Sequence, residues 1–158
     1  MSQLKPPTQV KFFCSCLWQG EVDIEAILSE QFEITGSLMP AFNPLLAYYQ
    51  KEMGAGLKRG IFWDGRLFDR ERLVPLKLWA DAKERCQQPR QVNIDVGYVA
   101  KEQLILATGK PYAHRIYLSE GVYAELVYTY SDKTFKSLPW TYPDYQHEEK
   151  IHFFNQIR

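Results

Sequence analysis

The chain has 158 residues, of which 46% are hydrophobic and 24% are charged, a composition typical of one globular domain. Lysine and arginine together number 19, as do aspartate and glutamate, so the formal net charge is zero. Domains whose main task is to hold nucleic acid usually carry a large basic excess, so this balance disfavours that class and leaves only a local basic patch to consider.

One domain is predicted over residues 1–158, with residues 1–7 as a flexible tail, because no repeat, low-complexity tract or internal linker interrupts the chain. The longest apolar stretches fall far below the ~20 residues that a membrane-spanning helix needs. The three cysteines are an odd number and no signal peptide precedes them. Both features favour the reducing cytoplasm over a disulfide framework.

Strands and helices alternate in the first half of the chain. The predicted strands here are residues 8–18, 32–39 and 57–63. The predicted helices are residues 23–31, 43–53 and 69–88. Apolar residues occupy alternate positions on both faces of the first strand, so we expect this strand in the interior of a sheet.

Strands dominate the second half. They are predicted at residues 91–98, 104–108, 114–118, 122–130 and 134–138. A last helix is predicted to begin after Asp144, which would cap it. The chain is therefore predicted to be an α+β domain, a largely antiparallel sheet with helices packed on it. The order of elements in its first half is similar to that of ferredoxin-like folds.

The turn that follows residue 118 decides which side chains face the core. A two-residue loop would pair Ile116 with Glu125 and place a carboxylate beside a core residue. A three-residue loop, with Gly121 in the left-handed conformation, would pair Arg115 with Glu125 instead. Because burying an unpaired carboxylate is costly, we predict the three-residue loop.

This register sorts the hairpin residues onto two faces. The predicted core-facing residues are Ile116, Leu118, Val122, Ala124 and Leu126. The residues predicted on the opposite face are Arg115, Tyr117, Tyr123 and Glu125. The same alternation turns Asn93, Asp95 and Gly97 away from the core. If that strand lies near the hairpin, Asp95 shares one sheet surface with Arg115 and Glu125, and Gly97 leaves room beside them for a ligand.

Arg115 and Glu125 admit two interpretations. As a cross-strand ion pair they would contribute at most ~1 kcal/mol. As functional groups, Arg115 would hold an anion, while Glu125 and Asp95 would act as a general base or as ligands of a divalent cation. No spacing in the chain has the specificity of a metal signature, so the sequence leaves the metal and any cofactor open.

Further residues are predicted to complete a ligand site. The predicted ligand-binding residues are Lys58, Arg59, Tyr98, His114, Arg115 and Trp140. The basic side chains would contact phosphate or carboxylate, and Tyr98 or Trp140 would stack on a ring. The alternative is that the basic residues form a solvated surface and that Trp140 packs the last helix onto the sheet.

Familiar nucleotide and metal motifs are missing. Residues 107–111 read Ala-Thr-Gly-Lys-Pro, but the full phosphate-loop pattern is absent and Pro111 stands where serine or threonine is required. No Gly-rich dinucleotide fingerprint follows a strand. Cys14 and Cys16 share one strand face, where a core role is favoured over zinc, which would need four ligands.

Six stretches carry a family resemblance. They are Glu-Met-Gly at 52–54, Leu-Lys-Arg at 57–59, Val-Asn-Ile-Asp-Val-Gly-Tyr at 92–98, His-Arg-Ile-Tyr-Leu at 114–118, Val-Tyr-Ala-Glu at 122–125 and Pro-Trp-Thr-Tyr-Pro-Asp-Tyr at 139–145. Together they resemble the prokaryotic family called domain of unknown function 4416. The resemblance runs from about residue 8 to 156. It implies a small cytoplasmic single-domain protein and brings no established activity.

The function predicted from these features is binding of a phosphate- or carboxylate-bearing small molecule, nucleotide-like in its chemistry, on the polar face of the sheet. Turnover of that molecule and the oligomeric state are left open. The alternative is a non-enzymatic adaptor for RNA or protein, which would use Lys58, Arg59, the basic stretch at 66–72 and the tyrosines at 48 and 49. A purely structural subunit is a third possibility, and it predicts a large exposed apolar patch.

Overall fold

Eight strands form one sheet, and four α-helices pack on it. The structure is a computed structural model that describes residues 1–158. The strands are β1 (Lys11–Gln19), β2 (Ile34–Leu38), β3 (Leu57–Asp64), β4 (Val92–Val99), β5 (Gln103–Thr108), β6 (Arg115–Ser119), β7 (Val122–Ser131) and β8 (Thr134–Ser137). The helices are α1 (Ile24–Leu28), α2 (Leu46–Met53), α3 (Leu73–Arg85) and α4 (Glu148–Ile157), and a 3₁₀ turn at Arg70–Arg72 precedes α3. The predicted α+β class is confirmed.

The sheet is antiparallel throughout, in the order β2-β3-β1-β4-β5-β7-β6, with β8 paired to the end of β7. In the first half, β3 lies between β1 and β2, and β1 lies between β3 and β4. The units β1-α1-β2 and β3-α3-β4 are thus two interleaved split βαβ units, the arrangement of ferredoxin-like folds. The expectation that β1 is an interior strand is confirmed.

A hydrophobic core lies on each face of the sheet. On one face, alternate β1 residues such as Phe12 and Cys14 pack with Leu76 and Ala80 of α3. On the other face, Phe13 of β1 meets Phe154 of α4, with ring centroids 4.8 Å apart. Because β1 is covered on both sides, its sequence is apolar at consecutive positions, as in a buried strand.

The predicted pairing of the β6–β7 hairpin is confirmed. Arg115 lies opposite Glu125, and Gly121 has a φ of +79°. The predicted loop length is wrong, because Ser119 pairs with Val122 and leaves a two-residue turn in which both φ angles are positive. Such a turn matches the twist of the strands, and a register shift between residues 117 and 119 accommodates the remaining residue as a bulge.

The predicted burial of the β6 side chains is wrong. Ile116 is 71% exposed and Leu118 is 42% exposed, whereas Val122 of the neighbouring strand is buried. β6 is the edge strand of the sheet, and α3, the helix on that face, packs over β4 and β5. The alternation of faces was therefore correct, but nothing covers the outer face of β6.

Gly97 does not leave space for a ligand, contrary to the prediction. A Cβ atom at this position would lie 2.4 Å from the carbonyl oxygen of Ile105 and 2.6 Å from Cζ of Phe13. The glycine is needed because neighbouring backbone and an aromatic ring approach it closely. Its role is packing of the second core.

Asp144 does not cap the last helix, also contrary to the prediction. The N-cap of α4 is His147, whose ring accepts a hydrogen bond from the Glu149 backbone N–H. Asp144 is buried three residues earlier, in contact with two cationic side chains. An aspartate that precedes apolar residues at helical spacing can be either a helix cap or the partner of buried cations. The sequence pattern does not distinguish these two roles, because both place a carboxylate just before a helix.

Candidate functional site

A cleft of about 590 Å³ opens where β4 and β5 diverge. The two strands pair only between residues 97–99 and 104–106, so the first half of β4 has no partner on that side. There the backbone N–H of Ile94 donates to the Glu84 carboxylate at 2.8 Å. The walls of the cleft come from α2, one side of α3, the open edge of β4, the end of β5 with its following loop, and residues 142–145.

Ionised side chains of both signs line the cleft, four basic and six acidic. Arg90 is paired with Glu52 and Glu84, at 3.1 Å in each case. Lys77 and Lys110 also line the cleft, yet neither takes part in any ion pair of the structure. Two ammonium groups are therefore available to a ligand.

Asp144 forms the centre of a buried ionic cluster at one end of the cleft. Its Oδ2 accepts from Arg59 Nη2 and from Lys150 Nζ, both at 2.5 Å. The side chains are 6% exposed for Arg59 and 1% exposed for both Asp144 and Lys150. Burial by itself would raise the pKa of Asp144, but the Lys150 ammonium and the Arg59 guanidinium hold that pKa below its ordinary value.

Unpartnered polar atoms concentrate in this cleft. Six buried side-chain nitrogen or oxygen atoms of the protein lack a hydrogen-bond partner, and five of them belong to residues that line it. They are Nε and Nη1 of Arg59, Nε of Arg90, Oδ1 of Asp144 and the hydroxyl of Tyr145, which lies near Ser15 without hydrogen-bond geometry. A buried group left unpaired costs about 1–3 kcal/mol, so folded proteins keep few of them.

Asp95 is the one cleft carboxylate without a basic partner. Its Oδ2 accepts from the Asn93 amide at 3.1 Å, and no lysine or arginine lies within ion-pair distance. Burial raises the pKa of Asp95, and the more distant Lys77 offsets this only in part. An ionised Asp95 therefore has no cationic side chain beside it to balance its negative charge.

Glu125 lines the same cleft but is fully engaged by the protein. It is 2% exposed, and His114 Nε2 and Arg115 Nε lie 3.1 and 3.0 Å from its two oxygens. The other two nitrogens of Arg115 donate to the Lys110 carbonyl at 3.1 Å and to the Tyr142 hydroxyl at 2.8 Å. Arg115 and Glu125 therefore form a cross-strand ion pair, which was one of the two interpretations of these residues. The pair belongs to a buried network that fixes the position of the loop after β5.

Of the six predicted ligand-binding residues, only Arg59 lines the cleft. Lys58 points to the opposite face of β3 from Arg59 and donates to the Gly20 carbonyl at 3.4 Å. Tyr98 belongs to the core on the other side of the sheet. The Trp140 ring stacks on the His114 ring, with centroids 5.0 Å apart, and its N–H donates to the Leu126 carbonyl at 2.7 Å. Trp140 therefore stabilises the β6–β7 hairpin.

The cleft brings together Arg59, Asp95 and Glu125 among the predicted residues. His114 and Arg115 do not line the cleft. His114 contacts its wall through Glu125, and Arg115 does so through Glu125, Lys110 and Tyr142. The sequence patterns did not indicate Lys77, Arg90, Lys110 or Tyr145 as cleft residues, and they indicated Asp144 only as a helix cap. One signal was present in α3, where Lys77, Asp81 and Glu84 have helical spacing on one side, but a solvated helix face has the same pattern.

The pKa of Lys150 provides a pH-dependent test of the buried cluster. Burial and the neighbouring Arg59 lower this pKa from 10.5 to about 8, although Asp144 opposes them. Between these values the unfolded chain holds a proton that the folded chain has lost, so Lys150 makes the free energy of unfolding rise with pH. Lys150→Met removes this contribution and keeps the Arg59–Asp144 pair.

Stability of the wild type relative to Lys150→Met should therefore increase by on the order of 2 kcal/mol between about pH 7.5 and pH 10. Urea unfolding of both proteins across this range measures the difference, which cancels the titration of cysteines and tyrosines that the two proteins share. A difference that does not change with pH would show that the pKa of Lys150 is ordinary.

No helix combines the length and hydropathy needed to span a bilayer. No group of three or more histidine, cysteine or carboxylate side chains is arranged to hold a metal ion. Residues 8–158 match the model of the family described as Domain of unknown function (DUF4416), and the chain belongs to that family. Searches of the curated proteins and of the solved structures found no match.

Proposed function

We propose that this member of a family without an assigned activity binds a small molecule bearing a carboxylate or phosphate in the cleft between β4 and β5. The observation that carries the proposal is Arg59, a buried guanidinium that lines the cleft with two nitrogens lacking a partner. Arginine is suited to carboxylate and phosphate because its planar donors are always charged. Lys77 and Lys110 add two unpaired ammonium groups to the same cleft.

The shape and composition of the cleft support the proposal. Its volume lies within the range of small-molecule pockets, which is about 300–1,000 Å³. Tyr48 and Tyr49 of α2 supply an aromatic wall, and the ionised groups described above supply polar anchors. The anion is assigned to Arg59 rather than to Arg115, because every guanidinium nitrogen of Arg115 already has a protein partner.

Turnover of the ligand is not part of the proposal. Asp95 is the carboxylate best placed to act on a ligand, because its pKa is raised and its only partner is Asn93. Glu125, the other predicted base, accepts from three protein groups, His114, Arg115 and Tyr142. We therefore propose that Glu125 shapes the cleft and that Asp95 faces the ligand.

The adaptor alternative gains little from the placement of the basic residues. Arg66 is paired with Asp64, Arg70 with Glu102, and Arg59 lies in the cleft. A phosphate backbone is held by basic groups without a carboxylate partner, and Arg66 and Arg70 each have one in this protein. We also propose a cytoplasmic location, in keeping with three cysteines that are all free thiols.

The experiment is a thermal-shift and calorimetric titration with inorganic phosphate, adenosine monophosphate, mono- and dicarboxylic acids and the standard amino acids. We expect at least one of these anions to bind and Arg59→Lys to weaken that binding at least tenfold, because lysine keeps the charge opposite Asp144 and loses the unpartnered donors. Lys58→Ala is the matched control, since Lys58 is the next residue along β3 and lies outside the cleft.

Two results would count against the proposal. One is the absence of binding by any carboxylate or phosphate. The other is binding that is equally strong in the wild type and in Arg59→Lys. Salt-sensitive binding of RNA that Arg59→Lys leaves unchanged would favour the adaptor alternative instead.

A further inference from the structure

We infer that the ligand of this cleft is a zwitterion, a small carboxylate with an ammonium group close to it, as in an α-amino acid. The inference rests on the proposed function and narrows its ligand class. It follows from the acceptors that the cleft leaves unpaired beside its unpaired donors.

The cleft offers unpaired charged groups of both signs. Five of its six carboxylates already have a cationic partner, and Asp95 has none. Lys77 and Lys110 have no carboxylate partner. A ligand that carries one anion and one cation matches these groups without adding net charge.

Two carboxylates of the cleft lack donors. Asp144 uses only Oδ2 for Arg59 and Lys150, and its buried Oδ1 has no partner. Asp95 receives one amide hydrogen bond and no cation. An ammonium group carries three donors and a positive charge, so it satisfies such acceptors, whereas an ionised carboxylate has no donor to offer them.

Arg59 and Asp95 lie on the same face of the sheet. Leu17 of β1 pairs with Arg59 on one side and with Asn93 on the other, so Arg59 and Asn93 share one face, two strands apart. Two strand spacings amount to about 10 Å, and the arginine side chain covers part of that distance. Asp95 is the next residue of β4 on the same face. A carboxylate held by Arg59 thus leaves a neighbouring ammonium facing acidic groups.

The remainder of the ligand has an aromatic wall to contact. Tyr48 is 69% exposed, and its ring lies 5.3 Å from that of Tyr49 in an edge-to-face arrangement. Both rings line the cleft. Exposed tyrosines at a cleft can pack against an apolar or aromatic side chain of the ligand.

The test uses the full-length protein and calorimetry with each of the twenty standard L-amino acids. For every amino acid that binds, its deaminated carboxylic acid and its decarboxylated amine are titrated as well. We expect at least one amino acid to bind and both truncated compounds to bind at least tenfold more weakly.

Variants of two carboxylates extend the test. Asp95→Asn should weaken binding of the amino acid at least tenfold without weakening that of the deaminated acid. Asp132→Asn is the matched control, because it makes the same change at an exposed carboxylate that pairs with Lys136 and lies outside the cleft. It should leave both affinities unchanged.

The outcomes separate this inference from the proposed function. Equal binding of an amino acid and its deaminated acid, or binding of phosphate or a nucleotide with no amino acid bound, overturns the zwitterion and leaves the anion cleft standing. Failure of every amino acid, carboxylic acid and phosphate to bind overturns both.

Discussion

Asp144→Asn is expected to lower the free energy of unfolding by about 3–5 kcal/mol at pH 7, because it leaves the buried cations Arg59 and Lys150 facing each other without a counter-charge. Asparagine has nearly the same shape as aspartate, so the loss reports charge rather than packing. For a domain of this length the melting temperature should fall by about 6–20 °C. Chemical and thermal unfolding measure both quantities.

Two further variants control for this effect. Asp132→Asn removes one partner of an exposed ion pair with Lys136, and the loss of stability should be far smaller than that of Asp144→Asn because water screens this pair. Asp144→Asn combined with Lys150→Met leaves one cation in place of two, so it should recover part of the stability that Asp144→Asn loses. A loss below ~1 kcal/mol in Asp144→Asn would mean that water solvates the cluster.

Glu125→Gln should lower the free energy of unfolding by about 2–4 kcal/mol, because the Arg115 guanidinium, whose side chain is 10% exposed, then lacks its counter-charge. The same change should loosen the loop after β5, since Arg115 holds the Lys110 carbonyl only while Glu125 orients it. Urea unfolding measures the first effect, and amide hydrogen exchange of residues 109–113 measures the second.

A double-mutant cycle separates the buried network from an ordinary surface pair. The cycle uses Glu125→Gln, Arg115→Met and their combination, with Glu120→Gln in the exposed turn as control. We expect a coupling energy above ~1.5 kcal/mol, whereas a surface pair gives ~1 kcal/mol or less. A value in the lower range would show that burial does not strengthen this pair and that Glu125 is free for another role.

The local sequence pattern was sufficient to predict the strands, the helices and the pairing of the β6–β7 hairpin. Apolar residues on both faces of β1 indicated its interior position, and the β6–β7 pairing followed from the cost of burying Glu125 beside a core residue. Both arguments depend on residues that are adjacent in sequence or across one turn. The loop length was wrong because a bulge in β6 can absorb one residue without changing the pairing.

The burial of individual residues and their packing neighbours could not be predicted from the local sequence pattern. Alternation placed Ile116 and Val122 on one face, but only the position of α3 decides that Val122 is covered and Ile116 is not. Gly97 was expected to leave a void, and the Phe13 ring fills it. In both cases the deciding neighbour comes from an element distant in sequence.

The sequence by itself determined the α+β class, the strands and helices, and the pairing of Arg115 with Glu125. These follow from side-chain alternation and from hydrogen bonding along the chain. That Asp95 shares a face of the sheet with them depends on β5, which pairs with both β4 and β7. Only the tertiary structure decided which charged groups have hydrogen-bond and ion-pair partners. Asp144 recruits Lys150 from α4 and Arg59 from β3, and Glu125 occupies Arg115, so Arg59 retains free donors while Arg115 has none. The physical reason is that hydrogen-bond satisfaction depends on groups that folding brings together from distant parts of the chain.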